Sequence, residues 1–337
     1  MCAIERAWYR PYGWTLALLP LTGVFYTIAR VRRWVLCRCY HQRQFPVPVV
    51  VVGNIAVGGT GKTPLIIALV EQLRARGYRP GVVSRGYGGS GNRQPLVVTA
   101  ATTVEIAGDE AVLVVRATNC PVVICADRRR AIAELLKSGD CDLVLSDDGL
   151  QHYRMYRDME IAVVDGARGF GNGYCLPAGP LREPVSRLRS VDAVIINGET
   201  ARARTVWPDS QAIQVRPTRF RHLASGRVCS LDEWALSKTV YALAGIGNPQ
   251  RFADTLTELG FSATLQTFPD HYKFRREDFQ FADGAPVIVT SKDAVKCEAF
   301  VDHHIWVLEV ATEVPESVLN DIEKLSDKID YKNKVVN

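Results

Sequence analysis

The 337-residue sequence has nine cysteines but no CxxC pair among them. Cys37 with Cys39, or Cys120 with Cys125, lacks the four-ligand spacing of a structural zinc site. An odd number of cysteines scattered through strand-like runs also argues against a disulfide framework and for reduced, buried thiols in the cytosol. Lysine is missing from residues 1–44, which hold seven arginines and one acid, Glu5, a net of +6. With the whole chain at +5, the remaining 293 residues sum to −1. That distribution excludes a uniformly basic nucleic-acid binder and leaves a basic patch at one end. No A-x-A cleavage site precedes those arginines and Glu5 lies in the n-region, which disfavours a cleaved signal peptide. At 47% hydrophobic and 23% charged the composition lacks the bias of a disordered chain. The length suits about two domains of roughly 150 residues each.

What the N-terminus does have is PYGWTLALLPLTGVFYTIA, nineteen uncharged residues between Arg10 and Arg30. This approaches the ~20 residues that span a bilayer, although Pro11, Pro20 and two glycines weaken a straight span. Trp8, Tyr9, Trp14 and Tyr26 suit the headgroup level, and Arg30, Arg32, Arg33, Arg38 and Arg43 follow. Arginines after an apolar segment keep that flank cytoplasmic and attract anionic lipid. We read residues 1–44 as a membrane-inserted or membrane-lying anchor. The alternative is a hydrophobic helix packed on the protein's own core.

The run VPVVVVGN (47–54) has the valine-rich character of a central parallel strand. Ala56, Val57, Gly58, Gly59, Thr60, Gly61, Lys62 and Thr63 follow, and then PLIIALVEQLRARG, a helical pattern. Strand, glycine loop and helix start are the setting in which a Walker A match is credible. The glycines let backbone N–H groups converge on phosphate oxygens at the positive end of the helix dipole. Lys62 then reaches the β- and γ-phosphates and the Thr63 hydroxyl can ligate Mg²⁺. Ala56 departs from the strict pattern, which has glycine there. CDLVLSDDGLQH (141–152) is a strand ending in Asp147 and Asp148, the Walker B position for Mg²⁺ or its waters.

The nucleoside triphosphate reader is of a restricted kind. The chain has no Asn-Lys-x-Asp base reader of a GTPase, since Ser291-Lys292-Asp293 lacks the spacer. Val57 stands where a partitioning ATPase carries an extra lysine, and no LSGGQ signature of a transporter ATPase occurs. A small-molecule kinase or an unusual ATPase remains.

At GNIAVGGTGKTP, SRGYGG, AGDEA, DDGLQH and LPAGPLREP the sequence resembles the tetraacyldisaccharide 4′-kinases of lipid A biosynthesis. AGIGNPQRF, FPDHYKF and TSKDAVKC extend the likeness, as does the arginine-flanked N-terminus, over nearly the whole chain. Ser291 departs from it, standing where glutamate is expected. The resemblance implies ATP- and Mg²⁺-dependent phosphorylation of the 4′-hydroxyl of the lipid A disaccharide 1-phosphate, yielding lipid IVA. It places the enzyme, expected as a monomer, against membrane lipids at the cytoplasmic face of the bacterial inner membrane.

The resemblance further implies that Asp109 and His271 act as a pair on the acceptor hydroxyl. Read by itself, Gly108-Asp109-Glu110 before AVLVV is a helix N-cap pattern and His271 a loop histidine. Glu110 is a further candidate for the metal, and His152 for the nucleotide or acceptor. Arg85, Tyr87, Arg128 and Arg182 with Glu183 are candidates for the acceptor site, and each could instead be a solvated loop charge. A membrane-associated ATPase that drives a partner, and a nucleotide-gated binding protein without catalysis, stay open on the residues alone.

Alternating strand and helix patterns predict an α/β fold with a doubly wound, mostly parallel P-loop sheet over 45–210. Residues 211–230 read as a β-hairpin linker, and 231–337 as a smaller α/β domain. In it AGIGNP (244–249) is a strand-to-helix turn facing the interdomain cleft. The closing helix is expected near 315–328, with a frayed tail.

Overall fold

The structure, a computed structural model, describes residues 3–10, 12–39, 44–198, 207–281, 284–297 and 304–336. The first sheet contains β1 (Val49–Gly53), β2 (Pro80–Ser84), β3 (Leu96–Val98), β4 (Val122–Ile124), β5 (Leu143–Asp147), β6 (Met159–Asp165), β7 (Ala193–Asn197) and β8 (Gln211–Ile213). Their spatial order is β3-β4-β2-β5-β1-β6-β7-β8, parallel throughout except for β3 on β4 at one edge. Every residue of β1, β2, β5 and β6 is buried, as strands covered on both faces must be.

Alternation along β1 feeds two cores. Val50 and Val52 join Leu65, Leu69 and Leu73 of the helix Lys62–Ala75 on one face, and Val49 and Val51 join Ile132 and Leu135 on the other. Because β1 pairs with β5 on one side and β6 on the other, the loop leaving β1 emerges beside the ends of both.

The second sheet holds β9 (Arg216–His222), β10 (Val228–Ser230), β11 (Thr239–Ala244), β12 (Ser262–Thr267), β13 (Val287–Thr290) and β14 (Ile305–Ala311), in the order β10-β9-β14-β13-β11-β12. The hairpin expected over 211–230 begins at Arg216, because Gln211–Ile213 pairs in parallel with β7 instead. Phe220, Trp234, Phe261 and Trp306 form an aromatic cluster on one face of this sheet. The chain then returns to the first sheet: Val314, Val318, Leu319 and Ile322 join the core beside Leu65 and Leu69. This last helix runs Glu316–Val336 and does not stop near 328, since residues 328–336 contain no glycine or proline to end it.

The N-terminal apolar segment is broken into a 3₁₀ turn, Trp14–Leu18, and a helix, Leu19–Cys39. Pro20 falls in the first turn of that helix, where its missing N–H costs nothing. One side packs on the first sheet's layer: Phe25 and Tyr26 lie against its core, and Thr22 Oγ1 donates to Cys175 O at 3.2 Å. Leu21, Val24, Ile28 and Val31, spaced by three and four residues, leave an apolar stripe exposed on the other side. Trp14–Arg38 is the one stretch among the described residues long and apolar enough to cross a membrane. Cys120, Cys125, Cys141, Cys175 and Cys297 are buried thiols as expected, whereas Cys37 is exposed and Cys229 half-buried.

Candidate active site

The loop after β1 is shaped from both ends. Val57 N donates to Pro180 O at 2.9 Å, and Asn54 Nδ2 donates to Gly58 O at 3.3 Å. Gly61, at φ +88°, is the N-cap of the helix that starts at Lys62. Thr63 is buried, and Lys62 Nζ lies 3.2 Å from Asp148 Oδ1. A cavity of about 240 Å³ opens from Gly59–Thr63 toward the second sheet, where Ile246, Phe252, Leu308 and Val310 give it an apolar wall.

Asp147 and Asp148 close the other side. Asp148, in the left-handed region at φ +48°, is gripped by Lys62 and by Arg182 Nη1 at 3.2 Å. Burial pushes its carboxyl up, but those two cations outweigh this and hold it at about 2. Asp147 is different. It is 1% exposed, its Oδ1 has no hydrogen-bond partner among the described residues, and burial with the charge of Glu110 raises it to about 7. A buried carboxyl oxygen with no hydrogen-bond partner, close enough to other carboxylates to be raised by their charge, suits a divalent ion. Among the described residues no three His, Cys, Asp or Glu side chains cage an ion by themselves. Mg²⁺ at this place would therefore take its remaining positions from phosphate and water, as it commonly does.

Asp109 and His271 meet. His271 Nδ1 lies 3.0 and 2.9 Å from the two Asp109 carboxylate oxygens, although 162 residues separate them. Asp109 is not the N-cap of its helix, Asp109–Thr118; Gly108 is, at φ +81°. A Cβ at Gly108 would lie 2.2 Å from Tyr87 O, so glycine lets the SRGYGG loop close on the start of this helix. Asp109 accepts from Glu110 N at 2.9 Å and is 4% exposed. Burial pushes its carboxyl up, and the His271 hydrogen bond and the Lys292 charge overcome this, leaving it below the ordinary carboxylate range.

His271 is held in the left-handed region at φ +60° by a loop whose Phe268, Tyr272 and Phe274 rings pack at 4.7–5.4 Å from one another. The Tyr87 ring lies 4.9 Å from the imidazole, beside a second cavity of about 120 Å³ lined by Asp109 and His271. Consecutive residues thus face different spaces: Glu110 borders the P-loop cavity, and Asp109 the smaller one.

The remaining candidates are placed as follows. Arg128 is 3% exposed and donates to Cys125 O at 3.1 Å and Asp147 O at 3.2 Å, so it touches the backbone that carries Asp147. Burial lowers it to about 10. Glu183 is buried and accepts from Gln151 Nε2 at 2.7 Å and from the Tyr153 hydroxyl. His152 is lowered to about 4 by burial and by Arg128, which keeps it neutral at pH 7. Arg85 and Tyr87 are exposed.

Lys292 was not among the candidates. Its Nζ lies 3.2 Å from Glu110 Oε1, 3.2 Å from Asp270 Oδ1 and 3.8 Å from Asp109 Oδ2. Burial works against its charge, but the three carboxylates hold its pKa above the ordinary lysine value. The signal available in the sequence was its place just after the strand VIVT, the counterpart of Asp147 after LVL.

A glycine loop and a lysine at the end of a buried parallel strand, beside a buried carboxyl oxygen with no hydrogen-bond partner among the described residues, mark a P-loop protein that works on a nucleoside triphosphate. Across the same cleft, the Asp109–His271 contact adds a carboxylate bonded to an imidazole, a combination suited to taking up a proton. The particular family follows from comparison: the model for tetraacyldisaccharide-1-P 4'-kinase (LpxK) matches residues 14–327, and the chain belongs to that family. It is 46% identical over 321 residues to the tetraacyldisaccharide 4'-kinase of Alcanivorax borkumensis, covering 95% of each chain. To that of Azotobacter vinelandii it is 48% identical over 311 residues, covering 90% and 91%. The solved structure of LpxK from Aquifex aeolicus in complex with ATP superposes with a TM-score of 0.75 at 25% identity, over 94% of this chain and 99% of that one.

Proposed function

We propose that the chain transfers the γ-phosphoryl group of ATP to the 4′-hydroxyl of tetraacyldisaccharide 1-phosphate, giving lipid IVA. The observation that carries the reading is the contact between Asp109 and His271 at the smaller cavity, one residue along the chain from Glu110, which borders the P-loop cavity. Asp109 accepts the proton of the attacking hydroxyl, the new O–P bond forms as the bond to the β-phosphate bridging oxygen breaks, and ADP leaves. His271 orients the carboxylate. Its Nδ1 donates to Asp109, a tautomer assigned from the hydrogen bond. The amides of 56–63 and Lys62 hold the phosphates. Thr63, Asp147, Asp148 and Glu110 would hold Mg²⁺ or its waters. When bound, Mg²⁺ neutralises charge on the phosphate oxygens. Tyr87 at the smaller cavity and Arg182 beside Asp148 are the best-placed candidates to meet the sugar, with exposed Arg85 as a further one; Arg128 and Glu183 are tied up by contacts within the protein, and His152 is half-buried.

We assign residues 45–213 to the kinase domain and 216–311 to the second α/β domain, with the last helix returning to the first, and the cleft between the two domains as the site. Both members of the pair come from one chain, which fits a monomer. The exposed stripe Leu21, Val24, Ile28 and Val31, continued by Arg30, Arg32, Arg33 and Arg38, fits a helix lying in the cytoplasmic leaflet of the inner membrane. An ATPase that drives a partner would have no need of a proton acceptor aimed at a second substrate cavity. The test is transfer from γ-labelled ATP to tetraacyldisaccharide 1-phosphate in detergent micelles. Label in the lipid supports the reading, and release of inorganic phosphate with no labelled lipid overturns it.

A further inference from the structure

Two side chains outside the Walker A loop hold its carbonyls, and both reach into the second sheet's unit. Arg168 follows β6, where the Asp165 carboxylate accepts from its Nε at 3.1 Å and from its backbone N at 3.0 Å. So fixed, and 13% exposed at its side chain, the guanidinium donates to Gly59 O through Nη2 and to Gly247 O at 3.4 Å through Nη1. Asn197 ends β7 and is 3% exposed. Its Nδ2 donates to Thr60 O at 3.2 Å, and its Oδ1 accepts from Arg251 Nη2 at 3.2 Å. Gly247 and Arg251 belong to the turn and helix after β11.

The packing is close. A Cβ at Gly61 would lie 2.0 Å from Asn197 Nδ2, and one at Gly247 would lie 2.6 Å from Gly59 N.

A trans peptide is planar, with its C=O and the following N–H pointing to opposite sides. The carbonyl of Gly59 shares a peptide with the N–H of Thr60, and the carbonyl of Thr60 with the N–H of Gly61. Whatever holds those two oxygens therefore fixes those two amides as well, pointing the opposite way.

We propose that Arg168 and Asn197 are positioning residues that aim the Thr60 and Gly61 amides at the nucleotide's phosphates. Their hold depends on Gly247 and Arg251, which couples phosphate binding in one unit to the placement of the other. The inference rests on the reading that residues 56–63 hold ATP.

Asn197→Asp separates the two ends of one wire. It is nearly isosteric, keeps an acceptor for Arg251 and removes the donor to Thr60 O. Asn197→Asp and Arg168→Ala should each raise the Kd for ATP with Mg²⁺, by calorimetry, and the KM for ATP roughly tenfold, the scale of a hydrogen bond involving a charged or buried group. The KM for the acceptor should stay unchanged. Arg168→Lys, which keeps the charge but not the fork, should recover only part. Arg251→Ala should also weaken ATP, and adding it to Asn197→Asp should cost little more; losses that multiply mean that Arg251 touches the nucleotide directly and overturn the wiring. Unchanged ATP affinity in folded Asn197→Asp and Arg168→Ala overturns the proposal while Lys62→Ala still abolishes transfer. If Lys62→Ala is also silent, the P-loop reading itself has failed and the proposal falls with it.

Discussion

In the first sheet the four strands β1, β2, β5 and β6 are buried at every residue, and a single loop leaving β1 carries Ala56 to Thr63. In the second sheet the edge strand β12 buries none of its residues, and the contributions to the cleft come from several separated places: the turn at 245–248 and the helix after it, His271, Lys292, and Leu308 and Val310 of β14. The contrast is one of task. Holding a triphosphate needs a rigid cradle, which a twice-covered parallel sheet and a helix N-terminus supply together. Completing the site needs only a few groups delivered across a cleft, and strand ends and loops deliver them wherever the sheet happens to place them.

The comparison can be broken from the first side. Lys62→Ala should lower kcat by about 10²-fold or more, because one fixed cation at developing phosphate charge is worth that much in active sites. Near-normal turnover by the folded variant would mean that the loop is not the cradle. From the second side, Asp109→Ala should lower kcat by roughly 10²–10⁴-fold with little change in ATP affinity. His271→Ala should cost less, and the double variant hardly more than Asp109→Ala alone, since residues that act as a unit are non-additive. Independent multiplication of the two losses would dissolve the pair.

Lys292 sharpens the point that the second unit is more than a lid. Lys292→Met leaves Glu110, Asp109 and Asp270 facing one another without their shared cation. A loss of roughly tenfold or more in kcat/KM is expected from removing a charge-assisted contact of this kind. Activity equal to wild type would show that the three carboxylates tolerate one another once nucleotide and Mg²⁺ are present. The smallest effect on chemistry belongs to the N-terminal helix. Val24→Asp with Ile28→Asp should abolish co-sedimentation with anionic vesicles and raise the acceptor KM, with the ATP KM unchanged, because both side chains lie on the exposed stripe. Retained vesicle binding would locate the membrane contact elsewhere.

How much of this was legible varies with distance along the chain. The cradle was, since VPVVVVGN, the glycine loop and the helix are contiguous and the chemistry is local. Asp147 was, because it ends a strand that had to lie near β1. The pair was proposed only through family resemblance: by local pattern Asp109 is a cap residue and His271 a loop histidine, and the structure gives the cap to Gly108. Arg168 and Asn197 drew no functional reading, and Lys292 entered only in Ser291-Lys292-Asp293, where it failed as a base reader, and in the family-like run TSKDAVKC. Each sits at or just past a strand end, where sequence shows a polar residue and nothing of what it faces.

The sequence by itself determined the P-loop, the parallel sheet that carries it, the ATP and Mg²⁺ chemistry and the apolar, arginine-flanked helix. All of these rest on periodicity or on residues adjacent in the chain. Only the tertiary structure decided that His271 reaches Asp109 and that Lys292 serves three carboxylates. It also decided that one face of the N-terminal helix packs on the protein while the other stays bare. The physical reason is that these contacts join residues tens to more than a hundred and fifty positions apart. Strand order and register place such residues together, and no local preference of the chain encodes which partner each will find.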